Sequence, residues 1–189
     1  LSNSWRGKWK SDGGVIANQG IHFVDIIYKL LGDPLTISAE AQTALNNIET
    51  EDTALINFKY KNGCLVNFQI TTAIRPKNLE GSISIFSENG SFQIGGEALN
   101  QIKNYTLKNN NEKSDISYEI EDVYGKGHIL FYENIYNSII NQNKSEFEGK
   151  NFIKQIRLLN AIYFSIEKSE KIYFDSNKNY KSKLGFYES

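Results

Sequence analysis

The chain has 189 residues, of which 40% are hydrophobic and 13% aromatic, so it is long enough to bury one sizeable core. A net charge of −1 provides no broad positive field, which argues against nucleic acid or anionic lipid as a partner. One cysteine and two histidines, none at zinc-ligand spacing, argue against an internal disulfide and a structural metal site.

Hydropathy and cysteine usage bear on the compartment of the protein. No apolar run approaches the roughly 18 residues of a membrane span, since Asp25 and Lys29 interrupt "FVDIIYKLLG", and no signal peptide opens the chain. With the single Cys64, this predicts a soluble, cytoplasmic protein without a membrane partner. The sequence contains no methionine, even at its start, so we expect it to be a piece of a longer protein.

The first predicted element is a helix over residues 15–31. Asp12 is a possible N-cap before it, and Gly32 followed by Pro34 indicates its end. Its apolar residues point in nearly every direction, so the helix is expected to be buried on several sides.

Strands follow the helix. From residue 35 the apolar pattern has period two, and "LTISAEA", "TALINFKY" and "CLVNFQI" are predicted to form an antiparallel meander. "SISIFS" and "SFQI" flank a turn at residues 88–90 in the same way, and further strands are predicted near 99–107 and 116–121. Between these two lies "KNNNEKSD", which we interpret as a solvated loop without a function.

Helical spacing returns in residues 128–141 and 151–167, and "KIYF" is predicted to form a short closing strand. Strands grouped together with helices at both ends predict an α+β protein, with one mostly antiparallel, open-faced β-sheet and helices packed on one face. In "TALINFKY" the second face of the strand is mixed, not charged, so that face of the sheet is a candidate subunit interface. A solvated face is the alternative.

A polar stripe interrupts the first helix. Asn18, His22 and Asp25 stand at i, i+4 and i+7, which places them on one helical face. A buried polar group without a partner costs about 1–3 kcal/mol, so the stripe needs partners or a cavity. In one interpretation His22 and Asp25 hydrogen-bond each other inside the core. In the other the stripe faces a cleft, Asp25 orients the imidazole, and His22 offers its other nitrogen to a substrate hydroxyl.

The glycine pair before the helix also has two interpretations. Gly13 and Gly14 either form a tight turn or let a ligand approach the backbone and the helix N-terminus closely. They are not a dinucleotide-binding motif, because the G-x-G-x-x-G spacing, a preceding strand and a trailing acidic residue are missing.

At the level of whole segments, the sequence resembles a known family. "SWRGKWKSDGGVIANQGIHFVDIIYKLLGDP" is similar to the segment that opens the C-terminal domain of the Gfo/Idh/MocA oxidoreductases, with a glycine pair, then Asp or Asn, then Gly-x-His. "EDTALINFKYKNG", "TTAIRPKNLEGSISIFSENGSFQIGG", "YGKGHILFYENIYNSI" and "AIYFSIEKSEKIYF" continue in family order. "WRG", "ANQGIH" and "RPKNLEGSISI" most resemble nucleotide-sugar 3-dehydrogenases of the UDP-N-acetylglucosaminuronate type, from surface-polysaccharide synthesis.

The resemblance implies an enzyme of two domains. An N-terminal Rossmann domain would bind NAD or NADP, and residues 1–189 would form the substrate-binding and oligomerisation domain, with the glucose-fructose oxidoreductase-like C-terminal fold. The implied substrate is a sugar or nucleotide sugar, and the implied assembly is a homodimer or homotetramer through the sheet face. The family's glycine-rich loop and its Glu-Lys-Pro motif with the catalytic lysine have no match here. The chain alone is therefore expected to be inactive.

The resemblance also implies roles for four residues around the first helix. His22 matches the histidine that contacts the reacting hydroxyl, and Asn18 matches a position that is often Asp, so both are candidate catalytic residues. The Asn18 amide can hydrogen-bond a sugar hydroxyl but cannot act as a base. Gly13 and Gly14 match glycines beside the nicotinamide and the substrate, which makes them candidate cofactor-binding residues.

Four more residues are candidates for substrate binding. Arg6 and Arg75 lie in matching segments, and either guanidinium can bind a carboxylate or diphosphate, or make a structural salt bridge. His128 opens the second predicted helix and is a candidate to reach the cleft, as Asp25 is from the first. The alternative to a sugar dehydrogenase is a non-catalytic binding or association module that retains the fold.

Overall fold

The computed structural model describes residues 5–79, 81–108, 116–117, 127–145 and 147–185. The chain forms two compact units, one of Leu1–Ala73 with Glu148–Ser189 and one of Ile74–Phe147. In chain order the described elements are a π-helical turn Ile16–Gly20, α1 Ile21–Leu31, β1 Thr36–Gln42, β2 Thr53–Lys59, β3 Leu65–Thr71, β4 Ile83–Ser87, β5 Gly90–Gly95, β6 Gln101–Leu107, β7 Ile116–Ser117, α2 Gly127–Ile140, a 3-10 helix Gly149–Phe152, α3 Ile153–Lys168 and β8 Ile172–Tyr173.

An antiparallel sheet in the order β3-β2-β1-β8 forms the centre of the first unit. Period-two alternation buries Ala54, Ile56 and Phe58 of β2 and leaves Leu55 exposed, because successive side chains of a strand point to opposite faces. The register places Ile56 opposite Ala39 of β1 and Phe68 of β3, so the buried residues of neighbouring strands meet. This face is the sheet's contribution to the core.

Helix α3 packs on β1 and supplies the other side of that core. Leu158, Ile162 and Tyr163 are fully buried, and of these three the predicted helical spacing included Ile162. The Ser165 hydroxyl, also buried, accepts a hydrogen bond from the Ala39 backbone N–H at 3.2 Å and donates one to the Glu170 carbonyl at 2.6 Å. Helix and sheet are therefore joined by polar as well as apolar contacts.

The first helix is present as predicted but less buried than expected. Of the described α1 side chains, Val24 alone is buried, and Leu30 is 60% exposed. The helix also starts differently, because a π-helical turn precedes α1. Asp12 is not the N-cap, since its Oδ1 accepts from the Gly7 N–H at 2.6 Å and Val15, which makes no side-chain capping bond, stands at the N-cap position.

The second unit contains a sheet in the order β4-β5-β6-β7 and helix α2. Phe92 of β5 lies opposite Ile85 of β4 and Tyr105 of β6, with ring centroids of Phe92 and Tyr105 6.3 Å apart. In α2 no described side chain is fully buried, and Phe131 packs edge-on to Phe147 at 4.8 Å.

The α+β class predicted from the sequence is confirmed, while one detail of it differs. The described strands form two four-stranded sheets instead of one, because strand alternation specifies which side chains share a face but not which strands pair. Most of "KNNNEKSD" and residues 118–121 of the strand predicted at 116–121 lie outside the described residues. That the two units act as a single substrate-binding and oligomerisation domain stays a prediction. None of the described helices is both long and apolar enough to cross a membrane.

Candidate functional site

A cleft of about 960 Å³ lies in the first unit, at the start of the first helix. Its walls are residues 6–8, 12–15, 18–19 and 46–49, together with Thr72. The structure thus brings four of the predicted site residues to one cleft: Arg6, Gly13, Gly14 and Asn18.

The cleft is polar without a dominant charge. Its cations, Arg6 and Lys8, are balanced by two carboxylates, and the other polar side chains are mostly amides. Amide groups both donate and accept hydrogen bonds, as hydroxyl-rich ligands require. The acidic and amide side chains of the lining are Asp12, Glu49, Asn18, Gln19, Asn46 and Asn47.

Asn18 is exposed at the cleft wall and is held by its neighbours. Its Nδ2 donates to Asp12 Oδ2 at 3.4 Å, and its Oδ1 accepts from Gln19 Nε2 at 2.7 Å. Asp12 therefore connects the loop at Gly7 to the π-helical turn instead of capping the helix. These contacts orient the Asn18 amide without burying it.

His22 and Asp25 do not form the pair that both interpretations of the stripe predicted. Asp25 Oδ2 forms a salt bridge with Lys29 at 2.8 Å, and its Oδ1 accepts from Gln155 Nε2 of α3 at 3.2 Å. Lys29 stands at i+4 from Asp25, where opposite charges meet on a helix, so it outcompetes His22. His22 is exposed and lies one helical turn, about 5.4 Å, beyond Asn18 along the helix, outside the cleft lining. Its catalytic role stays a prediction.

The glycine pair is explained by its surroundings. Gly13 has φ +68°, a conformation that favours glycine, and a Cβ at Gly14 would lie 2.2 Å from the carboxyl group of Glu51. The tight-turn interpretation thus has a structural basis. Both glycines also line the cleft, and their cofactor-binding role stays a prediction.

Residues distant in sequence cap the first helix. The Glu51 carbonyl accepts from the Val15 N–H at 2.9 Å, and Glu51 Oε1 accepts from the Ile16 N–H at 3.0 Å. The Tyr163 hydroxyl accepts from the Ala17 N–H at 3.2 Å and donates to Glu51 Oε1 at 2.8 Å. Because the N–H groups of the helix start already have acceptors, this end is not an anion site.

The environment of Glu51 favours its neutral form. Burial raises the pKa of Glu51 above its ordinary 4.5, and the hydrogen bonds from Ile16 and Tyr163 only partly oppose this shift. Burial, and then the neighbouring Glu51, raise the pKa of Tyr163, so its hydroxyl stays protonated. Glu51 Oε2 is buried and has no hydrogen-bond partner within the described part of the chain.

Asp52 supports the other wall of the cleft. Its carboxylate accepts backbone N–H bonds from Ala44, Leu45 and Asn46 at 2.7, 2.9 and 2.8 Å, and a bond from the Thr53 hydroxyl at 3.0 Å. Burial alone would raise the pKa of Asp52, but these donors outweigh burial and lower the pKa below its ordinary 3.8. The loop that leads into residues 46–49 is thereby ordered.

The sequence pattern did not predict these three buried polar residues, Glu51, Asp52 and Tyr163. The acidic pair stands directly before the alternating strand β2, where a polar residue that enters the core needs partners, and this is a usable signal. Tyr163 had no comparable signal, because its position on α3 is one that any large apolar residue can occupy.

Arg75 and His128 belong to the second unit. Arg75 is exposed, and its Nη1 donates to the Ile74 carbonyl at 2.8 Å, while His128 is exposed in the first turn of α2. Their part in a substrate site stays a prediction. Among the described residues, no group of three His, Cys, Asp or Glu side chains is arranged to hold a metal ion.

Comparison with known proteins places the chain in a family. A family model described as "Oxidoreductase family, C-terminal alpha/beta domain" matches residues 2–174. The WlbA dehydrogenase from Bordetella pertussis, in complex with NADH and UDP-GlcNAcA, is 34% identical, with a TM-score of 0.81 over 92% of this chain and 51% of that one. The WlbA dehydrogenase from Chromobacterium violaceum, in complex with the same two molecules, is 35% identical, with a TM-score of 0.79 over 92% of this chain and 50% of that one.

More distant structures share the fold alone. Levoglucosan dehydrogenase in complex with NADH has a TM-score of 0.76 at 14% identity, over 90% of this chain and 53% of that one. No curated protein sequence matches the chain. The chain spans about half the length of the WlbA structures. The family predicted from the sequence segments is confirmed: the chain belongs to the Gfo/Idh/MocA oxidoreductase family, as its C-terminal alpha/beta domain.

Proposed function

We propose that this chain is the substrate-binding domain of an NAD(P)-dependent dehydrogenase that acts on a nucleotide sugar. The observation that carries the proposal is the polar cleft at Gly13, Gly14 and Asn18, in a chain 34% identical over 92% of its length to a dehydrogenase bound to NADH and UDP-GlcNAcA. The chain's own residues would hold the sugar, and a second domain would hold most of the dinucleotide.

The residues present fit only part of a dinucleotide. Gly13 and Gly14 present backbone without side chains to the cleft, which suits the close approach of a flat ring such as nicotinamide. The diphosphate has no comparable place here, because Glu51 and Tyr163 already bind the N–H groups of the helix start. When bound, nicotinamide accepts or supplies the hydride at its C4.

In the proposed reaction a sugar CH–OH becomes C=O, and the hydroxyl proton must leave as the hydride does. Asn18 would hydrogen-bond a sugar hydroxyl at the cleft wall and thereby orient the carbon. The exposed His22 side chain would take the proton unless a lysine of the second domain does.

Charged groups of the substrate would meet the two cations of the cleft. The Arg6 guanidinium lies 5.5 Å from the Trp5 ring, and Lys8 lines the same wall. A fork of guanidinium donors suits the carboxylate or diphosphate of a nucleotide uronate. Asp25, Arg75 and His128 stay candidates for substrate contacts.

The alternative is an association module without catalysis. In such a module the polar stripe of the first helix would be buried in the core, whereas Asn18 and His22 are exposed.

Self-association of the chain is compatible with either function. On the outer face of the first sheet, Leu65 is 73% exposed and Leu55 is exposed beside an Asn67–Asn57 hydrogen bond of 2.9 Å, and we propose this face as the subunit interface. Sedimentation of the chain at micromolar concentration tests it, and a monomer alone would contradict it.

The test of the proposed function is hydride transfer from UDP-GlcNAcA to NAD, followed by NADH absorbance, in the two-domain enzyme and in this chain alone. We expect turnover only with both domains, and an Asn18→Ala variant with a turnover lowered by about tenfold or more. The exposed Tyr173→Phe change, away from the cleft, is the matched control and should leave turnover unchanged. Absence of turnover with UDP-GlcNAcA and other nucleotide sugars would overturn the proposal.

A further inference from the structure

A buried carboxyl and a buried hydroxyl stand directly behind the cleft wall. Glu51 is 4% exposed and Tyr163 is fully buried, and neither lines the cleft. Both nevertheless bind the backbone that does, since their hydrogen bonds end on the N–H groups of Ile16 and Ala17. Neither contact is required for an ordinary helix start, where a local side chain is the usual cap.

The hydrogen-bond geometry indicates the charge state of Glu51. The Ile16 backbone N–H and the Tyr163 hydroxyl both donate to Oε1, while Oε2 has no partner among the described residues. An ionised group would leave a bare anionic oxygen in the core, which is far more costly than a neutral hydroxyl there. The proton therefore belongs on Oε2, and Oε1 is the carbonyl oxygen that accepts both bonds.

Within the part of the chain that the structure describes, no cation contributes to the pKa shift of Glu51. The titratable groups that face it are Tyr163 on α3 and Asp52 next in the chain, neither of which is positive. On the turn that covers it, the nearest titratable residue is Asp12, which is bound to Gly7 and Asn18. Gly14 packs directly on the carboxyl, so a Cβ there would displace it.

We propose that Glu51, as a neutral carboxylic acid, and Tyr163 are positioning residues that hold the glycine turn and the π-helical turn, and thereby place Asn18 at the cleft wall. The last link is the Asn18 N–H, which donates to the Gly14 carbonyl at 2.9 Å. Thr50 adds a further restraint, because its hydroxyl donates to the Gly13 carbonyl at 3.2 Å. The role of Asn18 in substrate binding rests on the proposed function, whereas the charge state of Glu51 does not.

The first experiment tests the charge state on the chain itself, with Glu51→Gln and with the exposed Glu40→Gln as the matched control. Infrared spectra at neutral pH should show the C=O stretch of a protonated carboxyl in the wild type and in Glu40→Gln, and its loss in Glu51→Gln. The wild type should lose stability relative to Glu51→Gln as the pH rises above 4.5, because Gln has no proton to lose. Absence of the infrared band, with a pH-independent difference in Tm, would overturn the neutral carboxyl.

The second experiment tests positioning with Tyr163→Phe, which keeps the ring against Trp9 but removes the hydroxyl. We expect faster hydrogen exchange at the Ala17 amide, shifted NMR signals of the Asn18 side-chain amide, and UDP-GlcNAcA binding to the two-domain enzyme about tenfold weaker. Glu51→Ala should have the same effects and Glu51→Gln should restore wild-type values, while the exposed Tyr173→Phe is the control.

The two readouts separate failure of the inference from failure of the proposed function. If UDP-GlcNAcA binds no form of the enzyme, the proposed substrate is wrong, and the Ala17 exchange rate and the Asn18 signals still decide whether the turn is held. Unchanged Asn18 signals and Ala17 exchange in both Tyr163→Phe and Glu51→Ala would overturn the positioning role, even if their Tm falls.

Discussion

Two neighbouring carboxyls hold the two walls of the cleft, and their chemistry is opposite. Glu51 binds the turn at residues 13–17 through one oxygen and has a raised pKa, while Asp52 binds the loop at residues 44–46 through both oxygens and has a lowered pKa. Both side chains have little exposed surface, but Glu51 lies deeper in the protein than Asp52. The comparison shows that depth and the number of hydrogen-bond donors together decide whether a carboxyl without solvent exposure keeps its charge.

The largest expected loss of stability comes from removing the charged carboxylate of Asp52. Asp52→Ala leaves the N–H groups of residues 44–46 without their acceptor, and we expect a loss of about 3 kcal/mol or more in the free energy of unfolding. Urea denaturation measures it, with Asp52→Asn as a smaller change that keeps one acceptor oxygen. A loss below about 1 kcal/mol would show that the loop finds other partners.

The pH dependence of stability separates the two carboxyls. The folded pKa of Asp52 lies below 3.8, so the folded state binds fewer protons there, and the contribution of Asp52 is complete above that pH and is lost as the pH falls below it. Glu51 has the opposite sign, since its contribution is complete below 4.5 and is lost as the pH rises. Melting temperatures of wild type, Asp52→Asn and Glu51→Gln across the acid range measure both, and equal slopes in all three proteins would contradict the comparison.

A smaller loss in the free energy of unfolding is expected when a side chain crowds the neutral carboxyl of Glu51. Gly14→Ala places a Cβ 2.2 Å from the Glu51 carboxyl and should destabilise the fold by about 1–3 kcal/mol. Gly149→Ala, where a Cβ has no neighbour within 4 Å, is the control. Combined with Glu51→Ala, the Gly14→Ala change should cost less than in the wild type, because the clash is gone. If the effects of Gly14→Ala and Glu51→Ala on the free energy of unfolding simply add, the strain does not arise between Gly14 and Glu51.

The smallest effect is expected at the half-buried carboxylate of Asp25, which has an exposed partner and extends the comparison towards the surface. Asp25 pairs with Lys29 at i+4, and the Lys29 side chain is 58% exposed, so solvent weakens the pair. Lys29→Ala should change the free energy of unfolding by about 0.3–0.5 kcal/mol, and added salt should reduce the difference. A loss above about 1 kcal/mol would assign Lys29 a structural role.

Much of the fold could be predicted from the sequence because it depends on local patterns. The period-two alternation of "TALINFKY" specified the buried face of β2, and helical spacing predicted two buried residues of α3, Leu159 and Ile162, but also Ile156, which is exposed. Glycines indicated the end of α1 and the hairpin at residues 61–63. The division of the strands between two sheets could not be predicted, because pairing depends on contacts between distant segments.

The candidate site was predicted only where it depends on segments close in sequence. Gly13, Gly14 and Asn18 lie within six residues of the sequence, so the motif that contains them identified one wall of the cleft. The opposite wall at residues 46–49 carried no motif. The expected His22–Asp25 pair does not form, because Asp25 binds Lys29 and also Gln155, which is 130 residues away in sequence.

The sequence by itself therefore determined the family, the α+β class and the position of the glycine turn, since each depends on residue types at short, fixed spacing. Only the tertiary structure decided what holds that turn. Glu51 and Tyr163 are 112 residues apart in sequence, and their shared hydrogen bond exists because β2 and α3 pack against the same core. Their charge states follow from that packing, because a pKa reports the donors, charges and burial around a group, and folding alone creates these surroundings.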